Sequence, residues 1–324
     1  MAGINTNNDV VIAVDLGGTN LRTAMVDQAG GLHHRNKHST PRDNLAHAIV
    51  NALAASINEC IAADEGRSKV VAISIAIPGT VHTDLGTVMN APNLPCLNGF
   101  DLASALRTAI GHEVRIENDA NAAAVGELWQ GAARSVKSML IFTLGTGVGG
   151  GIVLDGKLWR GIDGTAGELG HIGVVYDGPP CGCGSRGCVE QFASATAIVR
   201  QTRELAGTYP ASSLPQEDPL TAQKVYLAGC AGDELAIEVF HRLGRYLGMA
   251  MATMVDVFNP EMIVVAGGVA AGWDLFIESV RAEIKARTFP EPGRRVQVVR
   301  ALCGDDAGLF GAAQLAFSAA KTIK

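Results

Sequence analysis

The sequence lacks the charge pattern and the long apolar run of a nucleic acid or membrane protein. Its 26 Lys and Arg residues are outnumbered by 32 Asp and Glu, which gives a net charge of −6. Polyanion binding needs a concentrated basic patch, and the basic residues here are scattered. The most apolar helical stretch, residues 246–258, contains Asp256 and is shorter than the roughly 20 residues of a membrane span. We therefore expect neither nucleic acid nor a membrane as partner.

The first ten residues also lack the basic segment and apolar run of a signal peptide. The number of cysteines is odd, seven, and three of them lie within residues 181–188. They therefore do not indicate a set of disulfide pairs. This pattern is typical of a metal site in a reducing compartment. The sequence therefore predicts a cytoplasmic protein.

What the sequence does contain is enough chain for two lobes, since 324 residues exceed one ordinary core of about 150 residues. Apolar runs and turn residues predict secondary structure along the whole chain. Strands are predicted at residues 10–15, 21–27, 32–38, 70–77, 113–116, 139–144 and 151–155. Helices are predicted at residues 44–63, 102–110, 118–131, 191–205, 219–228, 233–257 and 304–320. Residues 80–99 are expected to be irregular.

The opening pattern of strand and glycine turn occurs twice. If Leu16 is aligned with Leu144, Asp27 falls on Asp155, and residues 73–79 pair with residues 263–268 in the same order. A duplicated domain would produce this order. We therefore predict an α/β fold with two related lobes and a cleft between them. The small lobe comprises residues 1–118 with a C-terminal helix at about 305–324, and the large lobe comprises residues 119–304.

Three glycine turns follow predicted strands, at residues 15–20, 145–150 and 266–269. Glycine lets the backbone approach phosphate oxygens closely because no Cβ obstructs it. A lone turn of this kind is more often a tight hairpin, but three in one chain favour a phosphate site. The predicted cofactor-binding residues are Gly17, Gly18, Thr19, Asn20, Thr146, Gly147, Gly267 and Gly268.

Gly145, Gly147 and Gly150 also match the GxGxxG dinucleotide fingerprint, which would indicate a dehydrogenase. That fingerprint must open a helix, whereas residues 152–156 have the pattern of a short strand and turn. The GxxxxGK[ST] motif of P-loop proteins is absent. A phosphate site outside both of these folds is therefore favoured.

Residues 117–121, Glu-Asn-Asp-Ala-Asn, lie where a predicted strand meets a helix. Helix capping by Asn118 or Asp119 is a strong alternative here. Phosphoryl transfer to a hydroxyl needs alignment, a metal ion and a carboxylate that accepts the proton, so Asp119 is predicted as the catalytic base. Asp15 is predicted to hold Mg²⁺, through water, with turn capping as the alternative.

A sugar acceptor presents several hydroxyls and needs paired donors and acceptors. The candidates for that site are Gly79, Asn93, Asn118, Asp119, Glu168, His171 and Glu190.

His171, Cys181, Cys183 and Cys188 form a Cys₃His set within 18 residues. Glycines between the cysteines permit the sharp loop that such close ligands require. Four protein ligands leave no open position, so the set predicts a structural zinc ion rather than a hydrolytic centre. If one ring nitrogen of His171 binds zinc, its other N–H can face the sugar.

These motifs resemble the ROK family of repressors and sugar kinases. The matches are residues 15–19, 117–122, 144–151, 167–171 and, in the form CxCGxxGCxE, residues 181–190. The resemblance implies the actin-like, hexokinase-like fold of two lobes, with ATP and Mg²⁺ in the cleft and the sugar deeper within it. It also implies Asp119 as the base, sugar contacts from Asn93, Asn118, Glu168, His171 and Glu190, and zinc contacts from His171, Cys181, Cys183 and Cys188. The CxCGxxGC form is similar to that of family glucokinases and N-acyl-aminosugar kinases.

Glucose phosphorylated on its 6-hydroxyl by ATP is accordingly the predicted reaction, in a homodimer. Mannose, N-acetylglucosamine or N-acetylmannosamine as substrate, and polyphosphate as donor, stay open. A sugar-responsive repressor or sensor is an alternative, although the first phosphate strand begins near Val10 and leaves no room before it for a DNA-binding domain. An NAD-dependent oxidoreductase is the third alternative.

Overall fold

The computed structural model describes residues 9–322. Its strands are β1 (Asp9–Leu16), β2 (Asn20–Asp27), β3 (Leu32–Ser39), β4 (Lys69–Ile77), β5 (Thr80–His82), β6 (Thr87–Asn90), β7 (Phe100–Asp101), β8 (Val114–Asn118), β9 (Met139–Leu144), β10 (Val148–Leu154), β11 (Lys157–Leu158), β12 (Met262–Ala266) and β13 (Gln297–Arg300). Its helices are α1 (Ala46–Ala63), α2 (Leu102–Ile110), α3 (Asp119–Trp129), α4 (Glu190–Ala193), α5 (Ala195–Glu204), α6 (Ala222–Cys230), α7 (Glu234–Phe258), α8 (Trp273–Arg287), α9 (Pro290–Arg295) and α10 (Ala307–Thr322).

The chain divides into two compact units. The first contains residues up to Ser135, the segment Leu158–Ala166 and the residues from Leu302 onwards, and the second contains Val136–Lys157 and Gly167–Ala301. The first unit thus extends past residue 118, where the sequence places the boundary between the lobes. It does so because α3 packs on α10, where a Cβ added at Gly126 would lie 2.2 Å from the Ala307 carbonyl oxygen.

Each unit is built on a sheet with the same arrangement of strands. The orders are β3-β2-β1-β4-β8 and β11-β10-β9-β12-β13. In both, the central strand pairs antiparallel with the next strand in sequence and parallel with a later one. Asp15 lies opposite Ala76 in the first sheet, and Thr143 lies opposite Ala266 in the second. The predicted α/β fold with duplicated domains is therefore confirmed.

Side chains of β1 point alternately to the two faces of the first sheet, and both faces are buried. Ile12 and Val14 face a core formed with α1 and α2, while Val11 and Ala13 face a smaller core formed with α10. Among the described residues, α1 is the helix long and apolar enough to cross a membrane. Its buried side chains, which include Leu53, pack in the first of these cores.

The core of the second unit lies between its sheet and the long helices α7 and α8. Phe142 of β9, Phe240 of α7 and Phe276 of α8 are fully buried in it. These buried aromatic rings add to the apolar contacts that hold the helices on the sheet. This packing fixes the carboxyl ends of β9 and β12, where two of the glycine turns lie.

The structure corrects several predicted elements. The helix predicted at 191–205 breaks at Ser194, because the Ser194 side chain caps α5 by accepting a hydrogen bond from the Ala197 amide. Residues 80–99 contain the strands β5 and β6 rather than only irregular chain, and α8 and β13 were not predicted.

The strand predicted at 151–155 begins three residues earlier, so Gly149, Gly150 and Gly151 lie inside β10. A Cβ added at Gly150 would lie 2.5 Å from the Gly167 carbonyl oxygen. Close packing of the segment at residues 167–169 therefore requires glycine there. The GxGxxG pattern opens a strand and not a helix, which is inconsistent with a dinucleotide fingerprint.

Candidate functional site

Asn118 ends β8 and caps α3. Its Oδ1 accepts a hydrogen bond from the Asn121 backbone amide at 2.9 Å, and its Nδ2 donates one to the Gly79 carbonyl oxygen at 2.8 Å. The capping alternative thus holds for Asn118. Asp119 is the first residue of the helix, half-buried, and its Oδ1 accepts from the Ala120 amide at 2.8 Å. A carboxylate here is favoured by the helix dipole and is held in a fixed orientation.

Gly79 is required by the backbone that positions Asn118. Its φ is +107°, and a Cβ added there would lie 2.1 Å from the Asn90 carbonyl oxygen. Only glycine adopts this conformation without strain. Gly79 therefore contributes its carbonyl oxygen to the site, where it accepts a hydrogen bond from the side-chain amide of Asn118.

Glu117, one residue earlier, is the buried acid of this junction at 3% exposure. Its Oε1 accepts hydrogen bonds from the Asn118 backbone amide and from Asn121 Nδ2, both at 3.0 Å. Its Oε2 accepts from Arg160 Nε at 2.7 Å. Sequence reasoning missed Arg160, which lies 43 residues away from Glu117 in the chain.

The first glycine turn lies between β1 and β2. The Gly17 amide donates to the Asn20 carbonyl oxygen at 2.8 Å, and the hydroxyl of Thr40 donates to the Gly17 carbonyl oxygen at 2.7 Å. Gly18 and Thr19 are left exposed. Asn93 lies beside them, since a Cβ added at Gly18 would be 3.2 Å from the Asn93 Cβ. The structure thus brings a predicted sugar residue next to a predicted phosphate turn.

Asp15 lies at the carboxyl end of β1, near the start of α10. Burial raises the pKa of its carboxyl group from 3.8 to about 6, opposed by Arg22 and assisted by Asp305 and Asp306. Arg22 lies 3.6 Å from Asp15 and also binds the Asp305 carboxylate at 3.1 Å. Arg35 pairs with Asp306, so the group contains three carboxylates and two arginines. Its excess negative charge is suited to a cation, although Asp305 and Asp306 were not predicted.

The other two glycine turns, in the second unit, border one cavity of about 500 Å³. Gly145 and Thr146 line it from the β9–β10 turn, and Gly268 lines it from the turn after β12. The rest of the lining is largely apolar, and α6 contributes Ala222, Gln223, Tyr226 and Leu227 to it. None of these four was predicted as a site residue. A cavity of this size with an apolar wall and exposed backbone amides fits a small organic ligand.

Glu190 joins the β9–β10 turn to the cysteine loop. Its Oε2 accepts a hydrogen bond from the Val148 amide at 2.9 Å. Its Oε1 accepts from Cys181 Sγ at 3.7 Å. The first residue of α4 is therefore oriented from two sides.

His171 and the three cysteines come together as predicted. Their ligand atoms all lie within 4.8 Å of one another. His171 Nδ1 is 3.5 Å from Cys181 Sγ, and the Sγ atoms of Cys183 and Cys188 are 3.7 Å apart. Nitrogen and sulfur atoms about 2.1–2.3 Å from a tetrahedral zinc ion lie about 3.6–3.8 Å from one another. The cluster therefore has the size of a tetrahedral metal site.

The cysteines differ in acidity. A backbone hydrogen bond in the loop, at Ser185, lowers the pKa of Cys183, whereas burial and the neighbouring cysteines raise that of Cys188 to about 12. Thiols this close to one another cannot all ionise without a compensating cation. The donor set and its spacing fit a soft divalent cation such as zinc, which binds thiolates.

The other ring nitrogen of His171, Nε2, lies 3.8 Å from Glu168 Oε2. Burial raises the pKa of Glu168, His171 lowers it, and Glu190 raises it further. The second unit therefore groups Glu168, His171 and Glu190. The first unit groups Gly79, Asn118 and Asp119, and separately places Asn93 beside Gly18.

A family model, the ROK family, matches residues 11–319. The chain belongs to the ROK family. A glucokinase of Halalkalibacterium halodurans is 35% identical over 306 residues, which cover 93% of this chain and 92% of the relative. A ROK family glucokinase from Streptomyces griseus, solved in complex with glucose and AMPPNP, is 36% identical. That similarity covers 95% of this chain and 99% of the solved one, with a TM-score of 0.80, and the predicted actin-like, hexokinase-like fold is confirmed.

The similarity also extends to a repressor. A xylose repressor of Caldicellulosiruptor bescii is 29% identical over 295 residues, which cover 88% of this chain and 73% of the repressor. The fold alone therefore does not separate catalysis from sensing.

Proposed function

We propose that this protein is an ATP-dependent sugar kinase that transfers the γ-phosphoryl group to the 6-hydroxyl of glucose. The observation that carries the proposal is the orientation of Asp119 at the start of α3, where Asn118 and Gly79 fix the preceding turn. The ROK glucokinase solved with glucose and AMPPNP, similar over 95% of this chain, supports the choice of both substrates.

Asp119 is the proposed general base. Phosphoryl transfer needs little covalent help, but the attacking hydroxyl must lose its proton as the new P–O bond forms. Asp119 Oδ1 accepts from the Ala120 amide at 2.8 Å, which keeps the carboxylate at the head of the helix. Asn93, Asn118, Glu168, His171 and Glu190 are proposed to bind the sugar hydroxyls.

The nucleotide is proposed to lie with its base against the apolar wall near Tyr226 and its phosphates at the exposed turns. Thr146 and Gly268 line that cavity, and Gly18 and Thr19 are exposed in the first unit. Asp15 is proposed to hold Mg²⁺ through water. Bound Mg²⁺ would neutralise the charge that develops on the transferred phosphoryl group.

The Cys₃His cluster is proposed to hold a structural zinc ion. Its four ligands leave no open coordination position, so its role would be to order the loop that carries Glu190 and to orient His171. A cytoplasmic homodimer without a nucleic acid partner completes the proposal.

A second candidate is a sugar sensor, which the similarity to a xylose repressor favours. Such a protein would bind sugar but would not turn over ATP. A kinase for mannose or an N-acylated aminosugar is the alternative within the same chemistry.

The test is ADP release with Mg²⁺ and ATP, measured across glucose, mannose, fructose, N-acetylglucosamine and N-acetylmannosamine. We expect the highest kcat/KM with glucose. Turnover with another sugar at a higher kcat/KM would contradict the proposed substrate. Sugar binding without ADP release, and without turnover with polyphosphate, would favour the sensor.

A further inference from the structure

We propose that Arg160 is a positioning residue that acts on Asn118 and Asp119 through Glu117. This inference rests on the proposed function and assigns a role to a residue that lies outside the family motifs given above. The observation behind it is a continuous chain of short contacts within the first unit, from the loop at residues 158–166 to the start of α3.

The series of contacts begins at an ion pair whose carboxylate is almost completely buried. Arg160 Nε donates to Glu117 Oε2 at 2.7 Å, and the Glu117 side chain is 3% exposed whereas that of Arg160 is 33% exposed. A buried carboxylate left without its partner costs much more than an exposed one. Arg160 is therefore the partner that holds the buried Glu117 side chain in this orientation.

Glu117 uses its other oxygen on the residues that form the site. Oε1 accepts both from the backbone amide of Asn118 and from Asn121 Nδ2. The Asn121 backbone amide in turn donates to Asn118 Oδ1. One carboxylate oxygen thus fixes the peptide that enters Asn118 and the first turn of α3, on which Asp119 lies. None of these contacts reaches the turns that border the cavity in the second unit.

The loop that presents Arg160 is itself well fixed. The Ala166 amide donates to the Arg160 carbonyl oxygen at 3.1 Å, and Asp163 accepts from both the amide and the hydroxyl of Thr165. Gly164 packs on the Val81 carbonyl group of β5. A short ordered loop therefore holds the guanidinium group next to Glu117.

Arg160 also borders a cavity of about 410 Å³ in the first unit, together with Ser74, Arg115 and Trp159. Of its three side-chain nitrogens, only Nε is engaged in a hydrogen bond or short ion pair with the residues that the structure describes. Truncation at residue 160 would therefore leave space, next to Glu117, that a small planar cation from solution can enter.

The experiment compares Arg160→Ala with Arg115→Ala. Arg115 is a matched control because it lies on β8, borders the same cavity and makes no ion pair with the described residues. We expect Arg160→Ala to lower kcat about 100-fold, since a misplacement of about 1 Å can cost that much, with the KM for ATP nearly unchanged. Millimolar guanidinium should restore kcat, whereas urea, its neutral analogue, should not. Arg115→Ala should keep the wild-type kcat.

A folded Arg160→Ala protein with wild-type kcat would overturn the inference. So would rescue by urea as well as by guanidinium, because a filled space rather than a charge would then explain the loss. If Arg160→Ala fails to fold, Arg160→Lys provides the same comparison, with a lowered kcat expected because a lysine has no planar fork to align with the carboxylate. A wild-type kcat for Arg160→Lys in that case would overturn the inference.

The inference is separable from the proposed function by a measurement that needs no turnover. The side-chain amide resonances of Asn121 should shift in Arg160→Ala and return with guanidinium, whether or not the protein phosphorylates a sugar. Unchanged resonances would reject the positioning role. Absence of turnover in the wild-type protein would reject only the kinase.

Discussion

The two units share one strand order but place different chemistry at the same point of their sheets. At the carboxyl end of β1 stands Asp15, opposite Ala76, whereas the matching position of β9 is Thr143, opposite Ala266. The first unit adds Asp119 at the head of α3 and Asp305 beside Arg22. The second has an apolar cavity and a Cys₃His cluster instead.

This difference shows which features the two related sheets share and which side chains differ between them. Both sheets keep a glycine turn between the central strand and the antiparallel strand that follows it. The charged side chains have diverged, so that the first unit carries the acidic groups suited to proton and cation chemistry. The second carries the groups suited to holding a ligand and to local stability. Substitution of the proposed base in the first unit should therefore lower turnover, and substitution of a cluster cysteine in the second should lower metal content.

Asp119→Asn should show the largest effect on the first unit. Removing a general base lowers turnover by about 10²–10⁴-fold, while the amide can still accept the hydrogen bond from Ala120, so folding and sugar binding should persist. Steady-state kinetics and calorimetric titration with glucose measure the two properties. Asp274→Asn is the control, because Asp274 is also an acid in the first turn of a helix, α8. Turnover close to that of wild type in Asp119→Asn would remove Asp119 from the proposed mechanism.

Cys183→Ser should show the corresponding effect in the second unit. Structural zinc supplies on the order of 10 kcal/mol to the folding of small domains, so loss of one ligand should abolish stoichiometric zinc and lower the midpoint of thermal unfolding by many degrees. Elemental analysis and calorimetry measure both. Cys230→Ser, at an exposed cysteine on α6, should change neither. Full zinc content in Cys183→Ser would contradict the assignment of the cluster.

The smallest effect is expected at Asp15, and it depends on pH. Because burial raises its pKa from 3.8 to about 6, the folded state binds the proton more tightly than the unfolded state. The stability that this gives is complete below pH 3.8 and is lost as pH rises through about 6. Without nucleotide or Mg²⁺, Asp15→Asn should therefore be more stable than wild type at pH 8, by about 1–3 kcal/mol, and equal to it near pH 4.

Asp27→Asn should change the stability at pH 8 in the opposite direction. Burial tends to raise the pKa of Asp27, but hydrogen bonds from His33, Gly31 and Ala29 outweigh it and the pKa is lowered. Stability from Asp27 is therefore present at neutral pH and lost as pH falls, so this variant should be less stable than wild type at pH 8. Urea unfolding at both pH values measures the two variants together. A less stable Asp15→Asn protein at pH 8 would show that the ionised carboxylate is stabilised by Arg22 more than burial destabilises it.

The contrast between the units also explains how far the sequence alone could go. The Cys₃His set and the residues 117–121 lie close together in the chain, so their spacing carries the geometry. The turns at Gly17 and Gly145 follow apolar strands that can be recognised locally. These features were predicted, and so was the duplication, because Leu16 and Leu144 end equivalent strands.

Contacts between distant parts of the chain could not be predicted in the same way. Arg160 meets Glu117 only because the loop at residues 158–166 packs on β5, and Thr40 meets Gly17 only because β3 pairs with β2. Tyr226 lines the cavity by the placement of α6, which no local pattern reveals. Such residues have ordinary sequence neighbours, and only the tertiary fold gives them a partner.

Gly150 limits which substitutions this chain tolerates. Any side chain there would displace the backbone at residue 167, one residue before Glu168, so a change at position 150 is tolerated only together with a new path for that loop. Evolutionary drift at the two positions should be concerted. The third glycine of a GxGxxG string allows a helix to pack closely in the dinucleotide-binding fold and a loop to pack closely here, so pattern searches that ignore the following element will merge two different folds.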